Sequence, residues 1–152
     1  MKEQLLKAWQ INNDMNLLLI NNISDEAMQK TLTPRGRNIY EQLAHLHNVR
    51  VNWLEASARD ISKSCTTFKK EGIDRRALTQ ALHDSTNCFA DLISRSWDNA
   101  GKVKNFKTGI IPMVSYLISH ESHHRGNIML TLKQSGEKIP DAVKWGLWEW
   151  GK

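Results

Sequence analysis

Apolar residues recur every three or four positions along four long stretches of this chain, and strand-like alternation never persists beyond a few residues. That period belongs to helices with one buried face, so the expected fold is all-α, a four-helix bundle. The first helix is predicted from about Lys2 to Asn21, with Leu6, Trp9, Leu17 and Ile20 on its apolar stripe. Asn13 falls in the middle of that stripe with Asn12 and Asn16 beside it, which implies either a polar pocket inside the bundle or an asparagine bonded to neighbouring backbone. After the Thr33-Pro34-Arg35-Gly36 turn, the second helix is predicted from about Arg37 to Arg59, with Ile39, Leu43, Leu46, Val49, Trp53 and Leu54 apolar. A polar connection runs from Ile61 to Ile73. Asp74 then caps a third helix carrying Leu78, Ala81, Leu82, Phe89, Leu92 and Ile93. The fourth follows the Ala100-Gly101 break and a Lys-rich loop, starts near Ile110 with Pro112 in its first turn, and stops at Ser135-Gly136. Residues 143–150 hold three of the six tryptophans and are expected to form a short tail. Such a tail either covers one end of the bundle or walls a substrate pocket or subunit interface.

With 152 residues the chain is expected to be one domain spanning 1–152, large enough to bury a real core. Its 40% hydrophobic and 24% charged content is that of a soluble globular protein, and no apolar run approaches a membrane span. Residues 1–6 merge into an amphipathic pattern without the apolar core of a signal peptide, so the expected location is cytoplasmic. Cys65 and Cys88 stand in no CxxC spacing and are expected to be free thiols. The net charge of +5 comes from scattered basic residues, with short clusters at Lys69-Lys70, Arg75-Arg76 and 102–107. No zinc finger, basic helix or aromatic-interleaved signature accompanies them, which argues against nucleic acid and fits a basic surface or a small anionic substrate.

The chemistry concentrates in His120-Glu121-Ser122-His123-His124. Taking Met113 as zero and about 100° per residue, Leu117, His120, His124, Ile128 and Thr131 all fall within about 60°. Two imidazoles thus occupy core positions one turn apart, where they can converge on one divalent cation. His123 and Glu121 flank that stripe, each about 80° away on opposite sides. Two ligands are too few for tight binding, and the candidates for a third are His45, His47 and His83, with Glu121 or Asp84 as carboxylate possibilities. The same string satisfies HExxH, the zincin signature, but the longer metzincin form needs Gly and His where this chain has Asn127 and Leu130. A zinc hydrolase is therefore the weaker alternative.

The run Gln42-Leu43-Ala44-His45-Leu46-His47-Asn48-Val49-Arg50 with Trp53-Leu54, together with His120 to Asn127, resembles the DinB-like superfamily, which includes YfiT-type proteins. The resemblance spans essentially the whole chain. In that family one histidine stands eight residues before a tryptophan on the second helix, and two stand in an H-x-x-x-H-R-G-Q pattern on the fourth. Carried over, the pattern selects His45, His120 and His124 as metal ligands, a choice between His45 and His47 that the helical wheel does not make. Asn127 replaces the family's usual glutamine, on a flanking face.

Three histidines leave open positions on a metal, a catalytic rather than a structural geometry, since structural zinc sites are closed and rich in cysteine. The resemblance implies a metal-dependent enzyme acting on a small-molecule substrate, thiol S-transferase-like, with a low-molecular-weight thiol as possible cofactor and a homodimeric assembly. Zinc or nickel leads the expected metals, with iron or copper behind. Arg50 and Arg125 are expected either to hold a carboxylate of that thiol or substrate, or to form ion pairs between helices. Glu121 is the candidate catalytic base, or else orients an imidazole. The competing class is a metal-binding stress or interaction protein without turnover, its site merely joining helices two and four.

Overall fold

The computed structural model describes residues 1–69 and 71–150, so the second member of the Lys69-Lys70 pair lies outside it. Its helices in chain order are α1 (Lys2–Asn22), α2 (Asp25–Met28), α3 (Ile39–Ser57), α4 (Arg59–Ser62), α5 (Arg75–Asp98), α6 (Ile110–Gln134) and α7 (Asp141–Gly146). The four long ones fall where the periodicity places them, and the described residues contain only isolated β-bridges besides. The second long helix is shorter than expected at both ends. Asn38 starts it with a capping box, its side chain accepting from the Glu41 amide at 2.8 Å while the Glu41 carboxylate accepts from the Asn38 amide at 2.9 Å. Ala58, at φ −153°, breaks it before Arg59, and one further turn forms α4. Ser24 caps α2, accepting from the Ala27 amide, a signal present in Ser24-Asp25-Glu26 that periodicity over a longer window does not register.

In the bundle α1 packs against α5 and α6, and α3 packs against the same two. Apolar side chains form two clusters stacked along its axis. One gathers Leu19, Ile20, Met28, Ile39, Leu43, Leu46, Leu78, Leu82, Ile128 and Leu132. The other gathers Trp9, Val51, Leu54, Phe89, Leu92, Ile93, Met113, Val114 and Leu117. Between them every long helix contributes buried polar groups: Asn12, Asn13 and Asn16 from α1, Arg50 from α3, Ser85 and Thr86 from α5, Glu121 and Arg125 from α6. No helix among the described residues is long and apolar enough to cross a membrane.

This polar layer is extensively hydrogen-bonded, with Asn12 Oδ1 and Asn13 Nδ2 left without a partner among the described residues. Arg50 and Glu121 are both 0% exposed and meet as a fork, Nε to Oε1 at 2.6 Å and Nη2 to Oε2 at 2.8 Å. Asn12 and Asn16 each donate to Glu121 Oε2 at 2.7 Å, and Arg50 Nη1 donates to Asn13 Oδ1 at 3.0 Å and Thr86 Oγ1 at 2.9 Å. The Trp9 ring lies 4.6 Å from the Arg50 guanidinium carbon. Of the two readings of the α1 asparagines, the polar interior is the one realised, as a filled layer. Burial pushes the Glu121 pKa up, yet the charge and hydrogen bonds of Arg50, with Asn16 and Arg125, outweigh it and hold the carboxyl below its usual range.

The tail divides its roles. Val143 and Leu147 of the α7 segment join the core that contains Leu19, and Gly146 lies so close to α1 that a Cβ there would come within 2.8 Å of Leu18. Trp145, Trp148 and Trp150 stay exposed. Trp148 and Trp150 wall a cavity of about 460 Å³ with Met15, Arg125, Gly126 and Met129. By helical geometry that cavity faces the side of α6 opposite His120 and His124.

Cys65 and Cys88 are free, as expected, and buried with their sulfurs 3.2 Å apart. Burial, followed by the hydrogen bond to Cys88, pushes the Cys65 thiol up to about 12. Alkylation of Cys65 by iodoacetamide at pH 8 is therefore expected to run on the order of a hundredfold slower in the folded protein than in urea, because the thiolate is the nucleophile. Peptide mapping of the labelled thiol checks this, and equal rates would contradict it.

Candidate metal centre

His45 comes from the middle of α3, and His120 and His124 from successive turns of α6. Their ring centroids are separated by 5.3 Å (His45 to His120), 4.9 Å (His45 to His124) and 4.8 Å (His120 to His124). One ligand nitrogen from each lies within 4.8 Å of the other two, and no fourth His, Cys, Asp or Glu joins the group among the described residues. Metal-to-imidazole bonds of about 2.0–2.1 Å put bound nitrogens up to about 4 Å apart, so modest ring rotations bring all three onto one ion. The rings sit at the bundle surface rather than sealed inside, and His124, the deepest, keeps 9% of its surface exposed.

The surroundings suit a cation. His120 Nδ1 is buried without a hydrogen-bond partner, an arrangement that is costly unless something occupies the site. Gln42, buried one turn before His45, places its Oε1 3.3 Å from His124 Nδ1. The amide oxygen accepts the Nδ1 proton, fixes the ring, and leaves the Nε2 lone pair for a metal. All three pKa values lie below the ordinary imidazole value. For His124 the fall, to about 4, is caused by burial first and then by the neighbouring imidazoles, with Arg37 adding to it. For His45 the causes are burial, then Arg37 and His120; for His120 they are burial, opposed by Glu121 and reinforced by His123 and Arg37. The three rings are thus kept neutral, the form that ligates.

On one flank stands an aromatic group, with Tyr116 stacked on His120 at 6.3 Å, Trp53 against Tyr116 at 5.9 Å, and Phe106 against Trp53 at 5.2 Å. On another, His45 borders a cavity of about 600 Å³ reaching to the turn before α3 and the loop before α5.

The other candidate ligands lie elsewhere. His47 is buried and donates from Nε2 to the Thr66 carbonyl at 2.8 Å, its ring edge against Phe68. His83 is exposed on α5, and Asp84 lines a separate cavity beside His47 and Cys65. His123 is exposed and accepts from the Asn127 amide at 3.1 Å.

Three role assignments change. Glu121 is turned away from the imidazoles into the polar layer, where Arg50, Asn12 and Asn16 occupy its carboxylate, so it neither abstracts a proton at the site nor orients a ring. The zincin reading falls with it, because the glutamate of HExxH must reach a metal-bound water. Arg50 has its guanidinium spent on Glu121, Asn13 and Thr86 with no surface exposed, which leaves nothing for a substrate carboxylate. Arg125 is likewise buried, bonds Asn16 Oδ1 at 2.8 Å, and borders the cavity on the far face of α6. For both arginines the interhelical alternative is the one realised. Gln42 is the residue that sequence reasoning left without a role; its place three positions before His45, on the same face of a helix, is the signal that marks it.

The fold and the three-histidine arrangement define an all-helical protein with a potential metal centre, and the chain belongs to the DinB family, which it matches over residues 1–148. It is also similar to the uncharacterized protein YrdA of Bacillus subtilis (strain 168), with 25% identity over 163 residues that cover 99% of this chain and 92% of the relative.

Proposed function

We propose that the protein is a divalent-metal-dependent enzyme acting on small molecules, thiol S-transferase-like, with His45, His120 and His124 as the ligands. The observation that carries this reading is a cluster of three neutral imidazoles at the bundle surface without a fourth protein donor among the described residues. Zinc or nickel suits an all-nitrogen donor set. Held there, a divalent ion would supply Lewis acidity, lowering the pKa of a thiol or water at its free positions. The protein's own part is to fix the donors: Gln42 holds His124 and Tyr116 backs His120. An accessible rim favours turnover over a purely structural site, which would be closed. A homodimer, with the exposed tryptophans as available apolar surface, belongs to the same proposal.

The test is elemental analysis of protein purified without a metal-affinity column, on the wild type and on His45→Ala, His120→Ala and His124→Ala. About one ion per chain is expected in the wild type and a large loss in each variant, since two remaining nitrogens do not make a tight site. Stoichiometric metal surviving all three changes would refute the ligand assignment.

A further inference from the structure

The cavity that His45 borders is lined by Arg35, Arg37 and Lys69 as well as Glu41, Asn48, Phe68 and Ile73. Two of its cations come from the turn before α3, and the third from the connection before α5. Their charge is not neutralised locally. Among the described residues, none of these three side chains has a hydrogen-bond or ion-pair partner; all three are exposed. Among the described residues the one carboxylate on the cavity wall, Glu41, is engaged in the capping box of α3. Arg37 shares that wall with His45, which places its guanidinium beside the imidazole cluster. The rest of the wall is apolar or amide, from Ala44, Phe68, Ile73 and Asn48.

We propose that Arg37, with Arg35 and Lys69, forms an anion subsite beside the three imidazoles, and that the substrate or thiol cofactor is a small molecule carrying a carboxylate or phosphate. This rests on the proposed metal-dependent reading for the role of the imidazoles, while the subsite itself stands on the cavity and its unpaired cations. A planar guanidinium presents parallel donors that match either oxyanion, and Lys69 adds a mobile point charge. The apolar side chains of Ala44, Phe68 and Ile73 on the wall accommodate the carbon body linking that anion to a group at the imidazoles. Arg37 is then a binding and specificity residue. It fills the role that Arg50 and Arg125, both committed to the interior, do not.

The experiment uses full-length protein loaded with Co(II) at pH 8 and follows the thiolate-to-cobalt absorption band during titration with mercaptosuccinate and with uncharged thioglycerol. Wild type is expected to bind mercaptosuccinate at least about tenfold more tightly, the scale of one or two charge-assisted hydrogen bonds. In Arg37→Gln/Lys69→Gln that preference is expected to shrink to about threefold or less, with cobalt stoichiometry and the ligand-field spectrum unchanged. Arg37→Lys should retain an intermediate preference, since it keeps charge without the fork. Equal affinities in wild type, or an undiminished preference in the double variant, would overturn the proposal. If the protein takes up no cobalt, the metal reading has failed and the subsite is read independently, by NMR titration of the metal-free chain with succinate and with inorganic phosphate. Shifts at the neighbouring wall residues Gly36, Asn48 and Phe68 that vanish in the double variant then support it and tell the two anions apart. No shift with either overturns it.

Discussion

Glu121→Ala is expected to lower the unfolding free energy by about 3–5 kcal/mol, because it leaves Arg50 as a buried charge without its counterion. Folded domains are stable by only about 5–15 kcal/mol, so this one change removes a large part of the margin. The loss extends past the ion pair: Asn12 and Asn16 both donate to Glu121 Oε2, and each would be left with an unanswered amide in the middle of the bundle. Arg50→Ala should cost a comparable amount, since Glu121, Asn13 and Thr86 all lose the same partner. Urea unfolding of the two single variants and of the double variant completes a cycle. The double variant should be markedly less destabilised than the sum, yet still below wild type, because its asparagines stay unsatisfied. Simple additivity, or single losses below about 1 kcal/mol, would show that the layer does not carry the weight its geometry implies. Acid should weaken the pair from the carboxylate side. A carboxyl held below its usual range contributes stability above the unfolded pKa, and that contribution disappears as pH falls through the lower folded value.

Saturating zinc or nickel is expected to raise the unfolding temperature by about 10 °C, a shift that a chelator reverses and His124→Ala abolishes. The size follows from linkage: free metal at a thousand times its dissociation constant adds about 4 kcal/mol, and each kcal/mol moves the midpoint of a domain this size by about 2–4 °C. The pH dependence distinguishes this site from an exposed histidine cluster. At pH 5.5 an ordinary imidazole of pKa about 6.5 is about nine-tenths protonated and a poor ligand. His124, held at about 4, remains neutral there, and His45 and His120 are displaced in the same direction. The thermal shift should therefore fall less between pH 7.5 and 5.5 than that of an exposed histidine cluster. Without metal the sign is opposite: between pH 6.5 and about 4 the unfolded chain takes up protons that folded His124 refuses, so stability declines as pH drops across that window. Differential scanning calorimetry with and without metal at pH 7.5 and 5.5 checks both statements. A shift that falls off as steeply as that of an exposed cluster would contradict the burial of the rings.

What the sequence discloses of this arrangement follows the range of the interactions involved. His120 and His124 share a face of α6 through helical geometry alone, so their pairing is local and readable. The choice between His45 and His47 is not local. It is settled in the structure by the Thr66 carbonyl and the Phe68 ring, which come from a connection far along the chain and engage His47. Asn12, Asn13 and Asn16 announce a polar interior from their place on an apolar stripe, but their partners lie on α3 and α6, and no spacing rule names those. For the same reason Glu121 looks like a neighbour of the imidazoles in sequence, yet about a quarter turn around α6 points its carboxylate into the bundle interior instead. Arg35 and Arg37 are visible as a turn; that they face a cavity with Lys69 emerges only once the loop before α5 lies beside α3.

A molecule with full charges midway up its interior cannot let one rod slide past another. Shifting α6 by a single turn, about 5.4 Å, would strand a guanidinium opposite leucine and a carboxylate opposite nothing. The layer therefore acts as a length gauge for the bundle, and the distance from His45 to the two rings across from it is set by contacts made on the neighbouring, inward face of the helix.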